Sequence, residues 1–268
     1  MPIDEIRKKA KELLESGRVR LVIGYEKGSG NNTRAAFISD PLQTGKLIFD
    51  SRCIQNLAVY ITRSEIRKIG RPAIIASVPV LRSLVQLASE NQIGDESLVV
   101  LGVTPDPGVI EFKDFKEIES FLAQHAIETA ARDREIIEKL NRMTPAERWN
   151  FWIKALEPCF KCYACRAACP LCYCTRCTVD NNQPQWIPVA SHSLGNLEWH
   201  IMRAMHLAGR CTDCDACAEA CPVGVPLNLL NKKIREEMAA DFGEYGPFLK
   251  KGSMMSTFRP DDKENFIN

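Results

Sequence analysis

Eleven of the twelve cysteines in this 268-residue chain fall between Cys159 and Cys221, and their spacing repeats. Cys159, Cys162, Cys165 and Cys169-Pro170 are echoed by Cys211, Cys214, Cys217 and Cys221-Pro222, so C-x2-C-x2-C-x3-C-P is written twice. Thiols at such fixed intervals must converge on something. The opening "MPIDEIRKKAKELL" has acidic residues where a signal peptide would be basic then apolar, and no later apolar run is long enough to span a membrane, so a soluble cytoplasmic chain is expected. Disulfides seldom persist in the cytoplasm, which leaves metal or redox chemistry for the cysteines. With 35 Lys+Arg against 34 Asp+Glu, the net charge of +1 removes the electrostatic case for nucleic acid or an anionic membrane surface.

The repeated run is the one that holds [4Fe-4S] clusters in bacterial-type ferredoxins, where the fourth cysteine ligates the other cluster. Three thiolates two residues apart grip three corners of one cubane, while the fourth begins a helix pointing elsewhere. The following proline suits a first helical turn, which needs no amide donor. Cluster one is therefore expected on Cys159, Cys162, Cys165 and Cys221, and cluster two on Cys211, Cys214, Cys217 and Cys169. Paired zinc sites also use C-x2-C, but they give no reason for a third cysteine, a fourth at x3 and a proline, all twice. Cys165, Cys169 and Cys172 also spell the C-x3-C-x2-C of S-adenosylmethionine radical enzymes, an overlap assembled from parts of the stronger motif.

Cys53, Cys172, Cys174 and Cys177 remain, the number that one further cubane requires. A third [4Fe-4S] cluster on these four is expected to carry the chain of centres onto the N-terminal domain. A zinc site of the three later cysteines, completed by His192 or His200, is the competing reading. Cys53 as a plain buried thiol is another.

Residues 1–150 read as an α/β domain. "VRLVIG", "PAIIASV" and "SLVVLGV" are short apolar runs fit for buried, partly parallel strands, and "IQNLAVYI" and "LRSLVQLA" between them carry helical spacing. "IDEIRKKAKELL" precedes them with Ile3, Ile6, Ala10 and Leu13 on one helical face. Ile127, Ala130, Ala131, Ile137 and Leu140 predict a further helix. "TPAERWNFWIKAL" predicts another, with Thr144 as cap, Pro145 in the first turn and Glu147 closing a capping box. Residues 151–250 read as a mainly helical dicluster ferredoxin-type domain, in which "GNLEWHIMRAMHLAG" turns Leu197, Ile201, Ala204 and Ala208 to one face and "VPLNLLNKKIREEM" turns Leu227, Leu230, Ile234 and Met238. Residues 251–268 form a tail without periodicity.

Other signals are weaker. "YEKGSGNNTR", residues 25–34, has the glycine content of a phosphate-cradling loop but fits no nucleotide-binding spacing, and an ordinary turn is the preferred reading. His125, His192, His200 and His206 are expected on surfaces. Trp149, Trp152, Trp186 and Trp199 are expected to pack around the clusters.

Several segments together resemble the iron–sulfur subunits related to the β-subunits of deazaflavin-coenzyme-reducing hydrogenases and formate dehydrogenases, found beside heterodisulfide reductase-like complexes. They are "LVIGYEKGS", "LIFDSRCIQNLAVYITR", "CFKCYACRAACPLCYCTRC", "PQWIP" and "HLAGRCTDCDACAEACPVGVPLNLLNKK", spanning most of residues 20–235. The resemblance implies an electron-transfer subunit of an anaerobic multi-subunit oxidoreductase, relaying single electrons between a flavin- or Mo/W-containing partner and a heterodisulfide reductase-like partner. It also implies relatives that carry FAD on the α/β domain, so the alternative is a flavin-containing subunit exchanging hydride with a soluble coenzyme. Here the sequence departs from the pattern. "ASVPVLRS" replaces a Lys-Gly-Cys-Asp-Ser-Arg turn, with Pro79 near the cysteine's place and Arg82 retained, and Asp106-Pro107-Gly108 replaces Cys-Pro-Gly.

Overall fold

The structure is a computed structural model that describes residues 2–104, 108–125, 129–181 and 183–242. Ile127, Asp106, Pro107 and the 251–268 tail lie outside the described residues.

A five-stranded sheet organises the N-terminal half, in the order β2-β1-β3-β4-β5. Its strands are β1 (Leu21–Lys27), β2 (Thr33–Ile38), β3 (Pro72–Ala76), β4 (Val99–Val103) and β5 (Val109–Phe112). The three anticipated apolar runs are the central strands β1, β3 and β4. They pair in parallel, Val22 opposite Ala73 and Ile74 opposite Val100. The edges are antiparallel: β2 returns from β1 by a hairpin and β5 from β4.

Both faces of the sheet are covered, so alternate residues of one strand enter different cores. Leu21, Ile23 and Tyr25 join Ile74 and Val100 on one face. Helices α3 (Val78–Ser89) and α4 (Phe115–Gln124) close that face with Leu81, Leu84, Val85, Ile118 and Leu122. Val22, Ile75 and Leu101 face the other way, against Ile6, Ala10 and Leu13 of α1 (Pro2–Glu15). Gly24 gives room here, because a Cβ would meet the terminal methyls of Ile75 and Leu47 at 2.6 Å and force them to shift. Residues 25–34 form the tip of the β1–β2 hairpin, closed by the Gly28 amide donating to the Asn32 carbonyl at 2.8 Å, and no helix follows to cradle a phosphate.

"IQNLAVYI" departs from its helical spacing. Only Leu57–Tyr60 coils, as a 3₁₀ turn, because the Asn56 carboxamide caps Ala58 while its own amide donates to Ser83 of α3. Next comes α2 (Ser64–Ile69).

Helices α5 (Ala131–Arg142) and α6 (Pro145–Leu156) lead into the cysteine region, and α6 begins with the expected reciprocal capping box between Thr144 and Glu147. The remaining elements are the single turns α7 (Ala164–Ala167) and α9 (Ala216–Glu219), with the longer α8 (Ser193–His206) and α10 (Leu227–Phe242). On α8 the buried face is rotated from the expected one. Leu197 and Ala204 are buried, but Ile201 is exposed, and Asn196, His200 and Arg203 take the interior positions.

The two halves are closely joined. Leu171 and Leu207 enter the core beneath the sheet. Glu90 at the end of α3 receives bonds from the Arg210 guanidinium at 2.6 and 2.8 Å and from the Tyr173 hydroxyl at 2.7 Å.

Candidate metal centres

The two cysteine runs fold as copies. In each, the residue before the second cysteine and the residue after it adopt left-handed backbone: Lys161 (φ 56°) and Tyr163 (φ 57°) in the first, Asp213 (φ 60°) and Asp215 (φ 57°) in the second. Such φ values in residues other than glycine are strained, at about 1–3 kcal/mol each, and persist where the surroundings impose them. The curled loops turn amides toward sulfur. The Lys161 amide reaches Cys159 Sγ at 3.4 Å, and backbone amides of Arg166, Asp213 and Ala216 bond the thiols of Cys165, Cys211 and Cys214. Each loop runs into its one-turn helix, α7 or α9, and then into the fourth cysteine and its proline.

Around the second loop, Cys169, Cys211, Cys214 and Cys217 line a single small cavity, shared with Arg203, Asp213, Asp215 and Asn231. The fourth cysteine of the first run thus stands among the three of the second. The converse pairing is present as well, since the Cys159 thiol senses the charges of Cys221 and Cys162. Burial pushes the thiols up: Cys217 to about 12, Cys211 well above the ordinary thiol value, and Cys214, Cys165 and Cys159 in the same direction. Thiols in this setting ionise when a cation joins them, as metal binding requires. Among the described residues, no three His, Cys, Asp or Glu side chains converge to grip one ion. A zinc ion gathers four ligands at about 2.3 Å, whereas a cubane spreads its thiolates over four irons.

Of the other four cysteines, Cys53 belongs to the apolar cluster beneath the sheet and Cys172 packs against that same cluster. Cys172 lies against Cys169, and the hydrogen bond between the two thiols holds Cys169 below the ordinary thiol value despite burial. Cys174 is exposed, near Tyr173 and Arg210. Cys177 precedes the 3₁₀ turn Thr178–Asp180 beside the Arg166–Asp180 ion pair. Cys53 sits in the core beneath the sheet, accepting from the Asp50 amide at 3.4 Å, and its thiol is pushed up by burial. Among the described residues no hydrogen bond or electrostatic contact links it to Cys172, Cys174 or Cys177. The folding of residues 48–53 around the β1 edge holds it on the sheet lobe.

Two expectations about side chains need correcting. Trp199 is buried edge-on against Tyr163 next to Cys165, but Trp149 and Trp186 are more than half exposed. His200 is interior, and neither of its ring nitrogens has a partner. Burial and the nearby Arg203 and Lys161 cations lower it to about 4, so the ring is neutral. His192 instead caps α8, accepting from the Gly195 amide at 3.2 Å.

Several polar contacts serve the second loop from outside the motif. Arg82 Nε of α3 donates to the Thr212 carbonyl at 3.1 Å, and Ser83 pairs with the Thr212 hydroxyl at 2.9 Å. Lys232 of α10 is buried between Asp133 at 2.7 Å and Asp215 at 2.8 Å, with Asp213 at 3.8 Å. The Asn231 amide reaches Cys217 Sγ at 3.7 Å. Arg203 and Lys232 were legible only as polar residues breaking a helical apolar stripe, a signal that a solvent-facing reading absorbs equally well.

A second, wider cleft opens between the two halves, with about 1,780 Å³ of unfilled space. The hairpin tip and residues 51–63 wall it with Arg52, Gln55, Tyr60 and Arg63, and alanines of α7 and α9, among them Ala164 and Ala216, form its floor.

No family model matches the chain. It is similar to the "F420-dependent formate dehydrogenase subunit beta" of Methanocaldococcus jannaschii, 24% identical in a match 218 residues long that covers 75% of this chain. The chain spans 57% of that protein's length. Among the described residues no helix is long and apolar enough to cross a membrane. This distant likeness is to an oxidoreductase subunit.

Proposed function

We propose that the chain is an iron–sulfur electron-transfer subunit of a multi-subunit oxidoreductase, built as an α/β domain joined to a helical ferredoxin-type domain. Cluster one belongs to Cys159, Cys162, Cys165 and Cys221, and cluster two to Cys211, Cys214, Cys217 and Cys169. The observation that carries this reading is the cavity walled by Cys169 with Cys211, Cys214 and Cys217, three cysteines of one run and one of the other. When bound, [4Fe-4S] clusters supply one-electron chemistry. The chain's own residues supply the rest. Cysteines fix the position, loop amides and the Asn231 side chain donate to sulfur, and α3 closes the second loop with Arg82 and Ser83. Hydrogen bonds to sulfur and solvent access are the levers by which a protein sets such potentials.

Two one-electron centres need a donor and an acceptor from other chains. The likeness to a formate dehydrogenase subunit makes partners of the flavoprotein, hydrogenase, formate dehydrogenase or heterodisulfide reductase-like kind the ones to seek. Anaerobic purification tests the reading. About eight irons per chain are expected for two clusters, with native mass showing a complex. An iron-free chain running as a lone monomer would overturn it.

A second reading rests on the wide cleft. Its size, its Arg52 and Arg63 and its alanine floor beside both loops suit a flavin, which would make the chain a subunit that exchanges hydride with a soluble coenzyme. Released FAD near one per chain supports this reading, and its absence from anaerobically purified complex removes it.

A further inference from the structure

Arg203 is an anomaly that the cysteine motif does not explain. It is an arginine 4% exposed in the middle of a helix, with nothing acidic bonded to it. Its Nη2 donates to the Cys165 carbonyl in the first loop at 3.2 Å. Its Nε has no partner, and the side chain is part of the wall of the cavity formed by Cys169, Cys211, Cys214 and Cys217. Burying an unpaired guanidinium costs several kcal/mol, so something must repay it. The groups facing it are thiols of both runs, Cys169, Cys217 and Cys165, together with Cys172 just beyond the first run. Burial opposes its charge, and the sulfurs around it favour that charge. His200, one turn away, is neutral and does not compete for the role.

We propose that Arg203 is a positioning residue shared by the two clusters, a fixed positive charge between them that raises both reduction potentials and keeps them matched. This rests on the two-cluster reading above. Each cluster gains one negative charge when it takes up one electron, so a buried cation stabilises the reduced form of both and eases the entry of the second electron. The bond to the Cys165 carbonyl ties the charge to the first loop, while its place in the cavity wall sets it against the second. Loss of the charge should therefore lower both potentials together, not one alone.

The test uses the full chain purified without oxygen, titrated with titanium(III) citrate as one-electron reductant and followed by electron paramagnetic resonance. R203Q keeps an amide donor for the Cys165 carbonyl and removes the charge. At a fixed potential the ratio of reduced to oxidised cluster should fall at least tenfold for both centres, which is 59 mV for a one-electron couple. R203K keeps the charge and should recover most of the shift. R203Q that retains its iron with both potentials unmoved overturns the proposal, and so does R203K that falls as far as R203Q. If R203Q loses its iron, R203K decides alone: wild-type potentials support the proposal, and a drop of more than tenfold overturns it. A wild-type chain without iron overturns both this inference and the two-cluster reading, whereas about eight irons with an indifferent Arg203 overturns only this one.

Discussion

The two cysteine loops share a backbone and almost nothing else. Both place left-handed residues at the same positions, yet the first carries Lys161 and Tyr163 there and the second Asp213 and Asp215. The first loop opens outward, with Cys162 exposed and Phe160 more than half exposed beside it. The second is enclosed: α3 presses Arg82 and Ser83 onto Thr212, and α10 answers the two aspartates with Lys232 and Arg235. Ligand spacing fixes the loop, then, and the surroundings differentiate it. An exposed centre suits exchange with a partner chain, and an enclosed one suits exchange with whatever occupies the α/β side.

The largest effect should come from exchanging the fourth cysteines. C221S should strip about four irons from the outer centre, and C169S about four from the enclosed one. Iron analysis with resonance spectra of each variant checks this. Loss from the same loop that carries the mutation would replace the crossed arrangement with two independent sites.

Next in size is the buried cation of the enclosed loop. K232M leaves Asp133, Asp213 and Asp215 without their shared counter-ion, 6% exposed in the folded chain. Removing one partner of such a buried network costs about 3–5 kcal/mol. Thermal unfolding of the iron-loaded protein should fall accordingly, with the second cluster lost before the first. A change near zero would mean that water already screens the aspartates.

The contrast between the loops was only half visible in the sequence. Motif and spacing announce two cysteine loops of one backbone form, and the runs at β1, β3 and β4 announce the central strands because both faces are buried. The edge strands β2 and β5 bury one side only, and "TRAAFI" and "VIEF" are too short and mixed to stand out. On α8 the apolar stripe pointed to Ile201, whereas the interior positions are polar. A helix packed against thiols buries Asn196, His200 and Arg203 for reasons that hydrophobic periodicity does not encode. The pairing of Asp213 and Asp215 with α10 is likewise a tertiary fact with no local signature.

His200 gives a smaller, pH-dependent effect. Its ring is held neutral in the fold, at about 4, against about 6.5 in an unfolded chain. The unfolded chain binds the extra proton between those values, so stability is complete above about pH 6.5 and declines as pH falls toward 4. Between pH 7 and pH 5 the loss should be about 2 kcal/mol, and H200L should flatten that part of the profile. Chemical denaturation at the two pH values measures it, and an unflattened profile in H200L would place the sensitivity elsewhere.

The smallest effect is expected where the sequence promised a third centre. Cys53, Cys172, Cys174 and Cys177 have the number for one more cubane, but Cys172 is engaged with Cys169, and Cys53 is held in the sheet core by the Asp50 amide. A thiol so placed behaves as a small apolar side chain with a weak hydrogen bond, and serine is nearly its size. C53S should therefore leave the iron content at about eight per chain and shift stability by about 1 kcal/mol or less. The measurement is iron and zinc analysis of both proteins, prepared side by side without oxygen. About twelve irons in the wild type falling to about eight in C53S would restore the third cluster, and would require the sheet lobe and the 172–177 segment to close on each other when loaded. One zinc per chain, retained in C53S, would instead assign Cys172, Cys174 and Cys177 to a structural ion completed by a histidine.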